Sequence, residues 1–199
     1  MGAILQSLSR TVIAGIVVLV VLILIAGAAT GNWIGIGTEA WWRFFFRWLH
    51  VLSGVMWIGL LWYFNFVQTP SMPKIPDEQK PAVSKVIAPA ALFWFRWAAM
   101  ATIVTGLLLA WMSGTIGKGL LFSSKDHYAI GIGMWLGIIM WFNVWFIIWP
   151  NQKKALGMVQ VSPEEKAAAA KMAGMTSRFN TMLSVPMLFC MVAQQNGGL

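Results

Sequence analysis

A single cysteine, Cys190, stands among 199 residues. No disulfide can therefore close within the chain, no cysteine pair can carry redox chemistry, and no C-x-x-C-H site exists for covalent haem attachment. Acidic residues are also scarce: the six Asp and Glu all fall outside the long apolar segments. With no internal repeat in view, that scarcity argues against a transporter built on intramembrane carboxylates. Charged residues make up 10 % of the chain and hydrophobic ones 59 %, proportions that exclude an ordinary soluble domain.

What is present instead is a set of five apolar segments, about 11–29, 44–67, 87–112, 128–149 and 179–194. Twenty such residues at 1.5 Å rise span the hydrocarbon core of a bilayer. The expected fold is all-α: a polytopic transmembrane helix bundle of about five spans, forming one integral membrane domain over residues 1–199. Residues 1–28 have the look of a signal peptide, with Arg10, an apolar run and Ala26-Gly27-Ala28, but they read here as a retained first span. Trp41, Trp42, Trp62, Trp111 and Trp149 fall near span ends, where indole rings favour the interface.

The net charge of +8 comes from basic residues in the loops rather than in one patch, so it points to membrane orientation and not to nucleic acid. Arg10, Lys74, Lys80, Lys85, Lys153, Lys154, Lys166, Lys171 and Arg178 lie on one side. Arg43, Arg47, Lys118 and Lys125 lie on the other. The positive-inside rule then sets the N-terminus and the 68–86 and 150–178 loops in the cytoplasm of a bacterium, with the C-terminus in the periplasm. Four prolines in the first of these loops predict an extended connection. In the second, Ser162-Pro163-Glu164-Glu165 predicts a helix start, and Pro186 predicts a kink further on.

Of the two histidines, His50 lies inside the second segment, and an ionisable side chain there is a functional candidate by default. On a helix it shares a face with Gly54, Trp57, Leu61, Asn65 and Gln68. Gly54 leaves space one turn away, for a flat ligand or for a close-packed helix. His127, at the outer end of the fourth segment, falls at a similar depth. Two imidazoles at one level suit bis-histidine ligation of haem b, with Met112 or Met134 as the alternative second ligand and a solvated loop role as the plainer reading of His127.

A second polar set, Asn65 and Gln68 with Arg96, Asn143 and Asn180, lies toward the cytoplasmic side, with Asn65 about 22 Å along the helix from His50. These residues suit either interhelical hydrogen bonding or a pocket for a small ligand or quinone, and Arg96 can also snorkel to the interface. Gly131-Ile132-Gly133 with Gly137 reads as a small-residue packing face, and Cys190 as a buried structural thiol.

Three strings, WLHVLSGVMWIGLLWYFNFVQ (48–68), MWFNVWFIIWPNQKK (140–154) and SRFNTMLSVPMLFCM (177–191), resemble the urate oxidase N-terminal family, the membrane domain of PuuD-type urate hydroxylases, over roughly residues 40–193. The resemblance implies oxidation of urate to 5-hydroxyisourate, with electrons leaving through a cytochrome c domain that follows the membrane region. No such domain is present in these 199 residues, so the expectation is a redox protein that works with a separate cytochrome c or partner subunit. The pattern from His50 to Tyr63 more weakly resembles the haem-containing protoporphyrinogen oxidases of the HemJ type. A third reading is a non-catalytic, pigment-binding subunit of a respiratory or photosynthetic complex.

Overall fold

The computed structural model describes residues 2–31, 33, 35 and 37–197, apart from the side chain of residue 3. Among them every regular element is helical. Four helices are long and apolar enough to cross a membrane: α1 (Leu8–Thr30), α2 (Glu39–Lys74), α3 (Lys80–Met112) and α5 (Lys125–Ala155). Between α3 and α5 lies the short α4 (Ile116–Leu120). The fifth expected span falls within the 34-residue α6 (Pro163–Asn196), which is interrupted by polar residues such as Asn180 and Ser184 and is not among the four.

The chain divides into two compact units, residues 1–42 and 43–199, with the division inside α2. In the first unit, α1 is apolar on every face, and only Gly27 of its residues is buried, beneath the ring of Trp33. A helix of that composition is suited to lipid on all sides.

The second unit is held by a core of Trp57, Leu61 and Phe64 from α2, Leu92, Phe95 and Ala99 from α3, Met140, Val144 and Ile148 from α5, and Met187 from α6. Trp57 and Leu61 are almost wholly enclosed; they continue the face of α2 that begins with His50 and Gly54. Small residues let the helices approach closely. A Cβ added at Gly131 would collide with the carbonyl oxygen of Gly119, and one at Gly133 would lie 3.2 Å from Cβ of Cys190. The expected packing face of α5 is therefore real at these two positions, and the Cys190 thiol is buried in it. Gly137 meets nothing within 4 Å.

Polar side chains tie the same helices together. Trp62 Nε1 donates to Ser184 Oγ at 2.9 Å, and Asn65 Nδ2 to Ser177 Oγ at 2.8 Å. Gln194 caps the start of α5: its Oε1 accepts from the Ile130 N–H at 3.1 Å and its Nε2 donates to the Asp126 carbonyl at 2.8 Å.

Residues 68–86 do not form the extended connection that their prolines suggested. Thr69–Ser71 and Met72–Lys74 continue α2 and Lys80–Ala82 opens α3, each with proline at its second position; at the start of α3 the missing N–H of Pro81 costs nothing and its fixed φ suits the helix. By contrast, the helix start at Ser162 is as expected, its side chain accepting the Glu165 N–H at 3.1 Å.

Three helices widen into π turns, at Tyr63–Gln68, Val83–Ile87 and Asn143–Ile148. Each ends two residues before a proline: Pro70, Pro89 and Pro150. Proline lacks an N–H and its ring crowds the carbonyl four residues back. In all three cases that carbonyl, from Phe66, Lys85 or Phe146, lies inside the π segment, where the wider turn relieves the crowding. Asn65, Gln68 and Asn143 all sit on such turns.

Candidate functional site

The candidate residues fall into three places. The first is around His50, half-buried on α2, whose ring lies against α3. Its Nδ1 is 2.9 Å from the carbonyl oxygen of Thr102, with Thr105 Oγ1 at 3.5 Å. A carbonyl only accepts, so Nδ1 carries the proton and the lone pair is left on Nε2. The space for the ring comes from Gly106: a Cβ there would be 2.8 Å from Cε1 of the imidazole. A Cβ added at Gly54 would lie 4.0 Å from the Thr102 methyl on α3. The signal for Gly106 in the sequence is the small-residue run Thr102-x-x-Thr105-Gly106 in the third segment.

His127 is at the start of α5, with Nδ1 3.2 Å from Ser124 Oγ. Its hydrogen bond is to its own loop, while that of His50 is to α3. No group of three or more His, Cys, Asp or Glu residues that could hold a metal ion occurs among the described residues. Iron held here would rely on one or two imidazoles and the porphyrin's own nitrogens, a donor set that haem allows and a bare divalent ion does not.

The second place is a cavity of about 80 Å³ between the π turn of α2, the start of α3, the end of α5 and the middle of α6. Its polar lining is Asn65, Gln68, Thr69, Gln152, Ser177 and Arg178, and its apolar wall includes Phe64, Phe95 and Ile148. Gln68 Oε1 is buried with no hydrogen-bond partner, an acceptor whose cost falls only when a donor arrives. The volume exceeds what a single water needs. Thr69, Gln152, Ser177 and Arg178 are the polar lining residues that the sequence reading left out; Thr69 follows Gln68, Gln152 follows Pro150-Asn151, and Ser177 and Arg178 open the SRFN string.

The third place separates the rest of the polar set. Asn143 and Asn180 form a buried pair, Asn143 Nδ2 donating to Asn180 Oδ1 at 2.8 Å and Asn180 Nδ2 to the Met140 carbonyl at 2.9 Å. Both amides are thus engaged between α5 and α6 and do not line the cavity. Arg96 is not at the cavity either; its guanidinium is stacked over Trp149, 3.2 Å from the ring centroid. Of the expected polar set, Asn65 and Gln68 line the cavity, while Arg96, Asn143 and Asn180 do not.

No curated protein and no solved structure matches this chain. The model of the urate oxidase N-terminal family matches residues 111–197, which covers α4, α5 and α6 and the cavity residues Gln152, Ser177 and Arg178, and this match supports that family for the chain.

Proposed function

We propose that this chain is the membrane part of a urate-hydroxylase-like oxidoreductase of the bacterial inner membrane, binding haem b through His50 and passing electrons to a separate cytochrome c or partner subunit. The observation that carries the reading is the His50 hydrogen bond to Thr102 at 2.9 Å. Metal-bound imidazoles characteristically donate their other N–H to a carbonyl or carboxylate, which fixes the tautomer and the ring orientation. Nε2 makes no hydrogen bond with a described residue, which leaves its lone pair for iron. His127, also with Nδ1 directed to an oxygen, is the candidate second ligand, ahead of Met112 and Met134. Haem held there supplies one-electron transfer.

The cavity is the candidate substrate site. Urate is a planar anion with amide-like edges that both donate and accept. The Gln68 and Gln152 amides can pair with such an edge, and Arg178 supplies the positive charge. Oxidation to 5-hydroxyisourate consumes one water and releases two protons and two electrons, and a haem would take those electrons one at a time toward the separate cytochrome c or partner. Gln68 lies eighteen residues after His50, about 27 Å along the helix. That separation excludes direct proton or hydride transfer between the two sites. The basic loops support a cytoplasmic location for the cavity end of the bundle.

The test is optical. Purified protein, oxidised and then reduced with dithionite, is expected to show a low-spin haem b spectrum that His50→Ala abolishes. Colourless protein from haem-replete cells would overturn the haem assignment. Urate loss in proteoliposomes is expected only with added cytochrome c, and Arg178→Gln should suppress it; equal turnover without cytochrome c would overturn the division of labour.

A further inference from the structure

Two cations share one indole. The guanidinium of Arg96 is 3.2 Å from the centroid of the Trp149 ring and 5.9 Å from that of Trp145, and Lys153 Nζ is 5.6 Å from the Trp149 centroid. Neither cation forms an ion pair with a described residue, unlike Lys154, which meets Glu165 at 2.6 Å. Arg96 Nε and Nη1 and Trp145 Nε1 are buried with no hydrogen-bond partner. The cluster therefore consists of donors and positive charge without an acceptor among the described residues, shared between α3 and α5, both long and apolar enough to cross a membrane. Cation–π stacking stabilises such charges but leaves the N–H groups unsatisfied.

The missing partner is an oxyanion, and the surroundings indicate its source. Phe93 and Trp97 on α3 and Phe142 and Phe146 on α5 are about half exposed beside the cluster, and Trp97 packs edge-on against Trp145. Rings exposed on membrane-spanning helices lie against acyl chains. A phosphate joined to acyl chains fits both halves of this surface, whereas a free anion uses only one. We infer that Arg96, Lys153 and Trp145 bind the headgroup phosphate of an anionic phospholipid, whose chains run along Phe93, Trp97, Phe142 and Phe146.

The test is native mass spectrometry of the detergent-purified protein with added phosphatidylglycerol or phosphatidylcholine. The wild type is expected to retain phosphatidylglycerol preferentially. Arg96→Gln and Lys153→Gln should each lower that preference about five-fold, since one basic group at an anionic surface is worth roughly 1 kcal/mol. Lys166→Gln, an exposed lysine elsewhere, should leave it unchanged. Lys153→Gln stands alone if the Arg96 variant fails to fold. Equal retention of the two lipids by the wild type would overturn the inference. So would a Lys166→Gln effect as large as that of Lys153→Gln, which would mean bulk attraction only. Displacement of the lipid by millimolar inorganic phosphate would assign the cluster to a soluble oxyanion instead.

Discussion

Gly106→Ala tests whether His50 is held by α3 as described. The added Cβ would lie 2.8 Å from Cε1 and 3.0 Å from Nδ1 of the imidazole, while ordinary carbon contacts begin near 3.5 Å. The ring must retreat by about 0.7 Å, which stretches the 2.9 Å bond to Thr102 beyond useful length. Overpacking costs about 1–3 kcal/mol and the lost hydrogen bond about 0.5–1.5. Alanine returns up to about 1 kcal/mol through its better helix propensity. The expected net destabilisation is about 0.5–4.5 kcal/mol, read as a lower unfolding midpoint in mild detergent. In a His50→Ala background there is no ring to strike, so the same substitution should be neutral or slightly stabilising. The coupling between the two positions is therefore the decisive quantity. An equal cost for Gly106→Ala in both backgrounds would refute the contact and with it the fixed tautomer of His50. In protein that carries haem, Gly106→Ala should also shift the Soret band.

The Asn143–Asn180 pair predicts a double-mutant coupling of about 0.6–1.7 kcal/mol between alanine variants, the range found for hydrogen bonds between membrane helices; strict additivity would show that the amides do not depend on each other. Ser162→Ala removes the cap of α6 and should cost about 0.5–2 kcal/mol, and a thermal shift near zero would mean that the 34-residue helix is fixed by packing alone. The Asp77 carboxyl is held below its ordinary range by a hydrogen bond from Lys80 and by that residue's charge. Its ion pair is therefore complete above the usual carboxylate pKa and is lost as pH falls through the lowered one. Lys80→Gln should return Asp77 to ordinary titration by NMR, and an unchanged titration would refute the pairing. For orientation, Lys166→Cys is expected to react with membrane-impermeant thiol reagents only after the cytoplasmic face is opened, and labelling in intact spheroplasts would reverse the assigned topology.

Helical class and membrane character were determined by the sequence, because burial in lipid is a property of composition over twenty residues and needs no partner helix. The face of α2 was equally legible: a period of 3.6 aligned His50, Gly54, Trp57 and Leu61, and the last two are enclosed in the core. The Ser162 cap could be read because its partner is three residues away. Helix-to-helix contacts could not be read, since each depends on which faces meet. The seating of the His50 imidazole against Gly106, the pairing of Asn143 with Asn180, and the stacking of Arg96 on the Trp149 ring were all decided by tertiary packing. The π turns stand between the two cases. Prolines at 70, 89 and 150 are written in the sequence, but whether a helix breaks, bends or widens before a proline depends on what the neighbouring helices hold in place. Here they hold α2, α3 and α5 continuous, and the wider turns of α2 and α5 carry Asn65, Gln68 and Asn143, the first two into the cavity and the third into the buried pair.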